Sequence, residues 1–141
     1  MYLTYLEYKN MGGKVDESTF TDIEFEARSY VDWVTFNRLW NEEIIPERVK
    51  ECMYHIINTI AVKMNILNAS LGLEGKSSVS GDTGIQSQSN DGVSTSYNVI
   101  SAKDALRLLT GDLYKEINRY LQGVTNSLGR KLLYKGLYKG E

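Results

Sequence analysis

The chain has 141 residues, 42% hydrophobic and 24% charged, which is the size and composition of one ordinary globular domain and excludes wholesale disorder. Sixteen Lys and Arg stand against eighteen Asp and Glu, a balance that argues against a dedicated DNA-coating or anionic-membrane protein. One Cys rules out an internal disulfide and a thiolate cluster, and one His leaves little for imidazole catalysis or zinc binding.

No run approaches the roughly 18 apolar residues that a membrane span needs. Met1-Tyr2-Leu3-Thr4-Tyr5-Leu6-Glu7 lacks the basic-then-apolar layout of a signal peptide, so a cytoplasmic site of synthesis and use is expected. Charge is unevenly spread. Residues 1–47 carry four basic and ten acidic side chains, and residues 101–141 carry eight and four. Ends of opposite sign suit head-to-tail contacts between copies, although a small domain also reaches such a distribution by chance.

Met11-Gly12-Gly13-Lys14 reads as a turn. A first helix is predicted from Thr19, where Thr19-Phe20-Thr21-Asp22 fits a capping box with Asp22 in the electropositive first turn. Ile23, Ala27, Tyr30, Val31 and Val34 recur at helical spacing, with Glu24, Glu26 and Asp32 on other faces. Thr35-Phe36-Asn37-Arg38-Leu39-Trp40 is irregular and predicts a loop that buries its aromatics.

The strongest helical pattern follows Pro46, a residue suited to a first turn. Val49, Cys52, Met53, Ile56, Ile57, Ile60, Met64, Leu67 and Leu71 form one continuous apolar stripe. A helix over 46–71 is roughly 39 Å long at 1.5 Å per residue, long for so small a domain. Val62 and Ile66 lie off the stripe, on the side of His55 and Thr59. A helix apolar on two sides is central or shared with a neighbouring subunit.

Between residues 76 and 98 Ser, Gly, Thr, Asn, Asp and Gln dominate. This composition suits a disordered linker. It also suits a β-hairpin over about 77–98, which the alternation of Val93, Thr95, Tyr97 and Val99 favours, with 85–89 as partner and Asn90-Asp91-Gly92 as turn. So polar a hairpin has little core of its own and needs support from the body or another chain. A third helix is predicted from the capping box Ser101-Ala102-Lys103-Asp104. Leu106, Leu109, Leu113, Ile117, Tyr120, Leu121, Val124 and Leu128 hold its face, and Gly129 is its C-cap. The tail, about 130–141, repeats Leu-Tyr-Lys-Gly twice and is expected to be extended, basic and sticky.

Catalytic signals are weak. Cys52 and His55 sit three apart, but Cys52 belongs to the apolar stripe and no orienting third group accompanies the pair. The acidic residues Asp16, Glu17, Asp22, Glu24 and Glu26 lack calcium-loop spacing and read as a solvated helix face. Gly75-Lys76-Ser77-Ser78 is not a complete phosphate loop, and no Gly-x-Ser-x-Gly elbow occurs. Ten tyrosines suit an interface, since the ring is large and amphipathic, and equally suit ordinary core and surface use.

In order and spacing, several segments resemble the tailed-phage head–tail connector proteins, also called head-completion or adaptor proteins. Tyr8-Lys9-Asn10-Met11-Gly12-Gly13 followed by Phe20-x-x-Ile23-Glu24-Phe25-Glu26-Ala27-Arg28 is similar to the family's opening. Thr35-Phe36-Asn37-Arg38 resembles the segment after its first helix, and the Ser/Gly-rich 84–97 stretch sits where it has a hairpin. Leu132-Leu133-Tyr134-Lys135-Gly136 is similar to its C-terminal signature, which more often has Arg at the place of Lys135. The chain beyond Gly136 is less typical.

The resemblance implies a single mainly α domain over 1–141: a small bundle with one long central helix, a hairpin insertion and an extended tail. It implies a structural virion protein at the head–tail interface, assembled in the host bacterial cytoplasm. About a dozen copies would form a ring under the portal. The ring would extend the DNA channel, pass genomic DNA without sequence specificity and present a platform to a tail-side stopper or tail-completion protein. No cofactor, metal, membrane or enzyme activity is expected. The expected portal contacts are Leu133, Tyr134, Lys135, Leu137 and Tyr138, unless Leu132, Leu133 and Tyr134 fold back onto the chain's own helices. The expected subunit interface is His55, Thr59, Val62, Ile66, Ile85, Val93 and Tyr97. The alternative function is a small phage DNA-packaging or regulatory module that binds DNA or protein, against which stands the lack of a basic recognition helix.

Overall fold

The computed structural model describes residues 1–71, 88–90, 93–95 and 102–141, and in these the chain is mainly α. A short helix, α1 (Tyr5–Asn10), precedes α2 (Glu17–Val34), α3 (Glu47–Leu71) and α4 (Ala102–Leu121). Helix α3 packs against both α2 and α4. Two three-residue segments, Gln88–Asn90 and Val93–Thr95, pair antiparallel with Gln88 opposite Thr95. The rest of the hairpin expected over 77–98 lies outside the described residues.

Helix α1, unforeseen in the sequence, has a complete capping box: the Glu7 N–H donates to the Thr4 hydroxyl and the Thr4 N–H donates to the Glu7 carboxylate. Lys50 on α3 donates to the other oxygen of Glu7 at 2.8 Å. Its bond and those from Thr4 hold the Glu7 carboxyl down at about 2. Tyr8 enters the core, and its hydroxyl donates to Asn58 at 2.8 Å while accepting the Lys14 and Val15 N–H groups.

Helix α2 starts at Glu17, two residues before the expected position. Asp16 is its cap and accepts the Thr19 N–H at 3.0 Å, so Thr19 lies inside the helix and its predicted capping box does not form. The inward face is Phe20, Ile23, Ala27 and Val31 together with Glu24. Glu24 is therefore not on a solvated face. It accepts the Tyr2 N–H at 2.9 Å and lies 3.7 Å from Arg28, which satisfies a carboxylate only 2% exposed.

Helix α3 starts one residue after Pro46, whose carbonyl accepts from Val49 and Lys50. Val49, Cys52, Met53, Ile56, Ile57 and Ile60 are fully buried, against Leu113, Ile117 and Leu121 of α4 among others. The last predicted helix ends early. It was expected to reach Leu128 and stops at Leu121, because Gly123 takes a left-handed φ of +80° that breaks the helical path. The chain then doubles back. The Asn126 side chain accepts the Leu128 and Arg130 N–H groups, and Thr125 bridges to Lys131. Leu128 points to solvent, and Gly129, with φ of +72°, serves this turn rather than the helix.

Candidate functional site

The residues following α2 shape both surfaces that stand out. Thr35 is buried, and its hydroxyl donates to the Val31 carbonyl at 2.8 Å, one turn back. Phe36 and Asn37 are then both left-handed, with φ of 56° and 59°. Such a conformation costs a side chain roughly 1–2 kcal/mol, less for Asn, whose polar group bonds locally. The double turn sends Arg38 and Leu39 inward and leaves Phe36 and Trp40 exposed. The expectation that this loop buries its aromatics is thus wrong, because the interior position goes to a cation and an aliphatic residue.

Arg38 holds the end of the chain. Its guanidinium donates to the carbonyls of Lys131, Leu132, Tyr134 and Gly136, and its Nε and Nη2 reach the two Glu141 carboxylate oxygens at 2.8 and 3.1 Å. The planar fork of arginine suits this convergence of acceptors. Arg130 stands 3.7 Å from the same carboxylate and donates to the Lys139 carbonyl at 3.0 Å. Both guanidinium groups lie over the Tyr138 ring, 4.9 and 5.7 Å from its centroid. Leu132 is fully buried, and its N–H donates to the Val124 carbonyl at 2.9 Å. The expected extended tail is therefore a strap folded onto its own body, as the fold-back alternative had it, and its very end is held as well. The cause is a buried cation whose donors require acceptors.

Arg38 in the first place, then the Tyr138 N–H, lowers the Glu141 carboxyl to about 2 from its usual 4.5. A carboxylate depressed in this way stabilises the folded state above the pKa of the unfolded chain and ceases to do so as pH falls through the folded value. The strap is therefore expected to hold at neutral pH and to loosen as the pH falls from 4.5 towards 2. NMR signals of Tyr134 and Tyr138 followed across that range check this, and Glu141→Gln should abolish the transition. Glu7, which titrates alike, remains as the internal control.

The second surface is aromatic. Phe25 and Trp33, 65% and 70% exposed, stand two turns apart on the outer side of α2, with Ser29 between them. Tyr114 of α4 meets the edge of Trp33 at 5.4 Å and that of Tyr30 at 5.9 Å. Two hollows meet at Trp33 and Tyr114. One, of about 560 Å³, runs between Asp32, Phe36, Asn118, Leu133 and Lys135. The other, of about 480 Å³, runs between Phe25, Glu26, Ser29 and Tyr30. Together they make an aromatic channel along the outer side of α2.

The expected portal contacts are spread over this region. Leu133 and Lys135 line the larger hollow. Tyr134 and Leu137 face outward at 50% and 85% exposure, whereas Tyr138 is half-buried under the two arginines. His55, Thr59, Val62 and Ile66 share one side of α3: His55 stacks on Tyr120 at 5.0 Å, Thr59 donates to the His55 carbonyl, Val62 is exposed and Ile66 half-buried. Ile85 and Tyr97 lie outside the described residues, and Val93 is described only as backbone of its short pair.

The sequence reading missed Phe25, Trp33, Tyr114 and Arg38 as surface and clasp residues. The eight-residue spacing of Phe25 and Trp33 was the available signal for the first pair. Cys52 is fully buried, and burial pushes its thiol up to about 12, which keeps it out of nucleophilic chemistry. Among the described residues no group of three or more His, Cys, Asp or Glu is placed to hold a metal ion, and no helix is long and apolar enough to cross a membrane. No family model, curated protein or solved structure matches the chain.

Proposed function

We propose that the chain is a structural subunit of a phage head–tail connector. About a dozen copies form a ring under the portal by a heterologous contact that closes on itself. The ring extends the DNA channel of the filled head and receives the tail-side protein. In this reading α3 is the long central spine. The motif resemblance supplies the class.

The observation that carries the reading is the aromatic channel. Phe25 and Trp33 are turned outward, while Phe20, Ile23, Ala27 and Val31 of the same helix are buried, and exposed apolar surface of this kind marks a contact site. The acidic first third and the basic last third of the chain supply opposite signs for a head-to-tail contact.

The test is electron microscopy of the protein mixed with its cognate portal protein. Rings on the portal are the expected result, and their absence at every salt concentration tried overturns the reading. Replacing Phe25 and Trp33 by serine should leave helical circular dichroism and melting temperature nearly unchanged. It should cost at least about 2 kcal/mol of assembly energy, as for anchor residues at other interfaces.

A further inference from the structure

Arg38 and Arg130 converge on one carboxylate, that of Glu141, so the cradle holds two cations against one anion. The Arg38 side chain is only 4% exposed, and Glu141 is 19% exposed at the rim. Beside the carboxylate opens a cavity of about 430 Å³, bordered by Asn41, Asn126, Leu128, Leu137, Lys135 and Glu42, whose carboxylate is taken up by the Ser127 N–H and hydroxyl, with room for an incoming side chain. Past Leu132 the strap is held mostly by polar bonds to the arginines, while Leu137 and Tyr134 present apolar surface to solvent. Among these bonds the Glu141 carboxylate is the charged anchor, and it is the contact that a competing carboxylate reproduces.

We propose that the Arg38–Arg130 cradle is a carboxylate-binding site, that Glu141 is its resident occupant, and that an acidic side chain of a partner protein replaces Glu141 and frees residues 133–141. The exchange swaps one carboxylate for another at the arginines, but freeing residues 133–141 also gives up the Arg38 bonds to the Tyr134 and Gly136 carbonyls, the Arg130 bond to the Lys139 carbonyl and the stacking of both arginines on Tyr138, a cost that the partner's contacts with the released strap must offset. Glu141 is favoured by its tether, which gives it an effective concentration on the order of millimolar. A free carboxylate in dilute solution does not meet that threshold. A partner already docked on the neighbouring surface does. The released strap then offers Leu133, Tyr134 and Leu137 to the same partner. The site stands on the cradle alone and does not depend on the connector reading.

Fluorescence anisotropy with the 141-residue chain tests this. The probes are a labelled, C-terminally amidated Leu-Tyr-Lys-Gly-Glu peptide and its counterpart ending in Gln. Glu141→Gln should bind the Glu peptide at least about tenfold more tightly than the wild type, which holds its own competitor. The Gln peptide should bind neither. Adding Arg130→Gln to Glu141→Gln should weaken the Glu peptide severalfold with circular dichroism unchanged. Equal affinity for the two peptides, or equal affinity of wild type and Glu141→Gln, overturns the proposal. A readout that needs no variant comes from the wild type itself. The Glu peptide at concentrations on the order of millimolar should sharpen the Tyr134 and Tyr138 NMR signals and the Gln peptide should not; identical spectra with both peptides overturn it too. Failure of ring assembly on a portal leaves these outcomes untouched, so the two readings fail separately.

Discussion

Replacing Arg38 by alanine should lower stability by about 3–5 kcal/mol, the cost of removing one partner from a buried ionic network. The melting temperature should fall by roughly 6–20 °C, at about 2–4 °C per kcal/mol for a chain near this size. The guanidinium meets four backbone carbonyls and one carboxylate. Without it the Leu132, Tyr134 and Gly136 carbonyls lose their arginine donor in partly enclosed positions, while the Lys131 carbonyl keeps the Tyr134 N–H and the Glu141 carboxylate keeps Arg130 and the Tyr138 N–H. Hydrogen exchange should show lost protection at Leu132, whose N–H bonds Val124, while amides in the middle of α3 stay slow. Arg38→Lys should recover little, because an ammonium lacks the fork that reaches carbonyls on two sides. A change below about 1 kcal/mol would reduce the clasp to a surface salt bridge.

The contrast between helices and clasp shows what the sequence makes legible. Helices α2, α3 and α4 were readable because their buried residues repeat every three or four positions, a local signal. Their ends were less so. Asp16 outcompeted Thr19 as a cap, and Gly123 stopped α4 seven residues before Leu128. Helix α1 buries only Tyr8, so its six residues carry no periodicity to read. Arg38 and Glu141 are 103 positions apart, and nothing in either local sequence announces the other. The aromatic channel was hidden for a different reason. Once Ile23, Ala27 and Val31 had been assigned inward, the second apolar line through Phe25 and Trp33 had no core left to join, and a pattern seeking one buried face passes over it.

The glycine pair before α2 was legible as a turn, yet its second member answers to packing, and Gly13→Ala should be among the most damaging small substitutions in the chain. Gly13 does not need a left-handed φ; of the two, Gly12 does, at +92°. On conformational grounds alone, alanine at position 13 would even gain about 0.4–1 kcal/mol by stiffening the unfolded chain. But a Cβ there would sit 2.2 Å from the Tyr8 ring, well inside contact distance. The ring has no room to yield. It is fully buried, lies 5.1 Å from Phe20 and 5.6 Å from Tyr54, and its hydroxyl is tied to Asn58, Lys14 and Val15. Overpacking of this kind costs about 1–3 kcal/mol, and the fixed hydroxyl places the expected loss at about 3 kcal/mol. Urea denaturation of Gly13→Ala measures it. Tyr8→Leu supplies the decisive comparison, because removing the ring removes the clash. In that background Gly13→Ala should cost less than about 1 kcal/mol, a coupling of about 2 kcal/mol or more between the two positions. An additive pair would mean that the glycine answers to the backbone after all, and that the turn, rather than the tyrosine behind it, sets the residue at position 13.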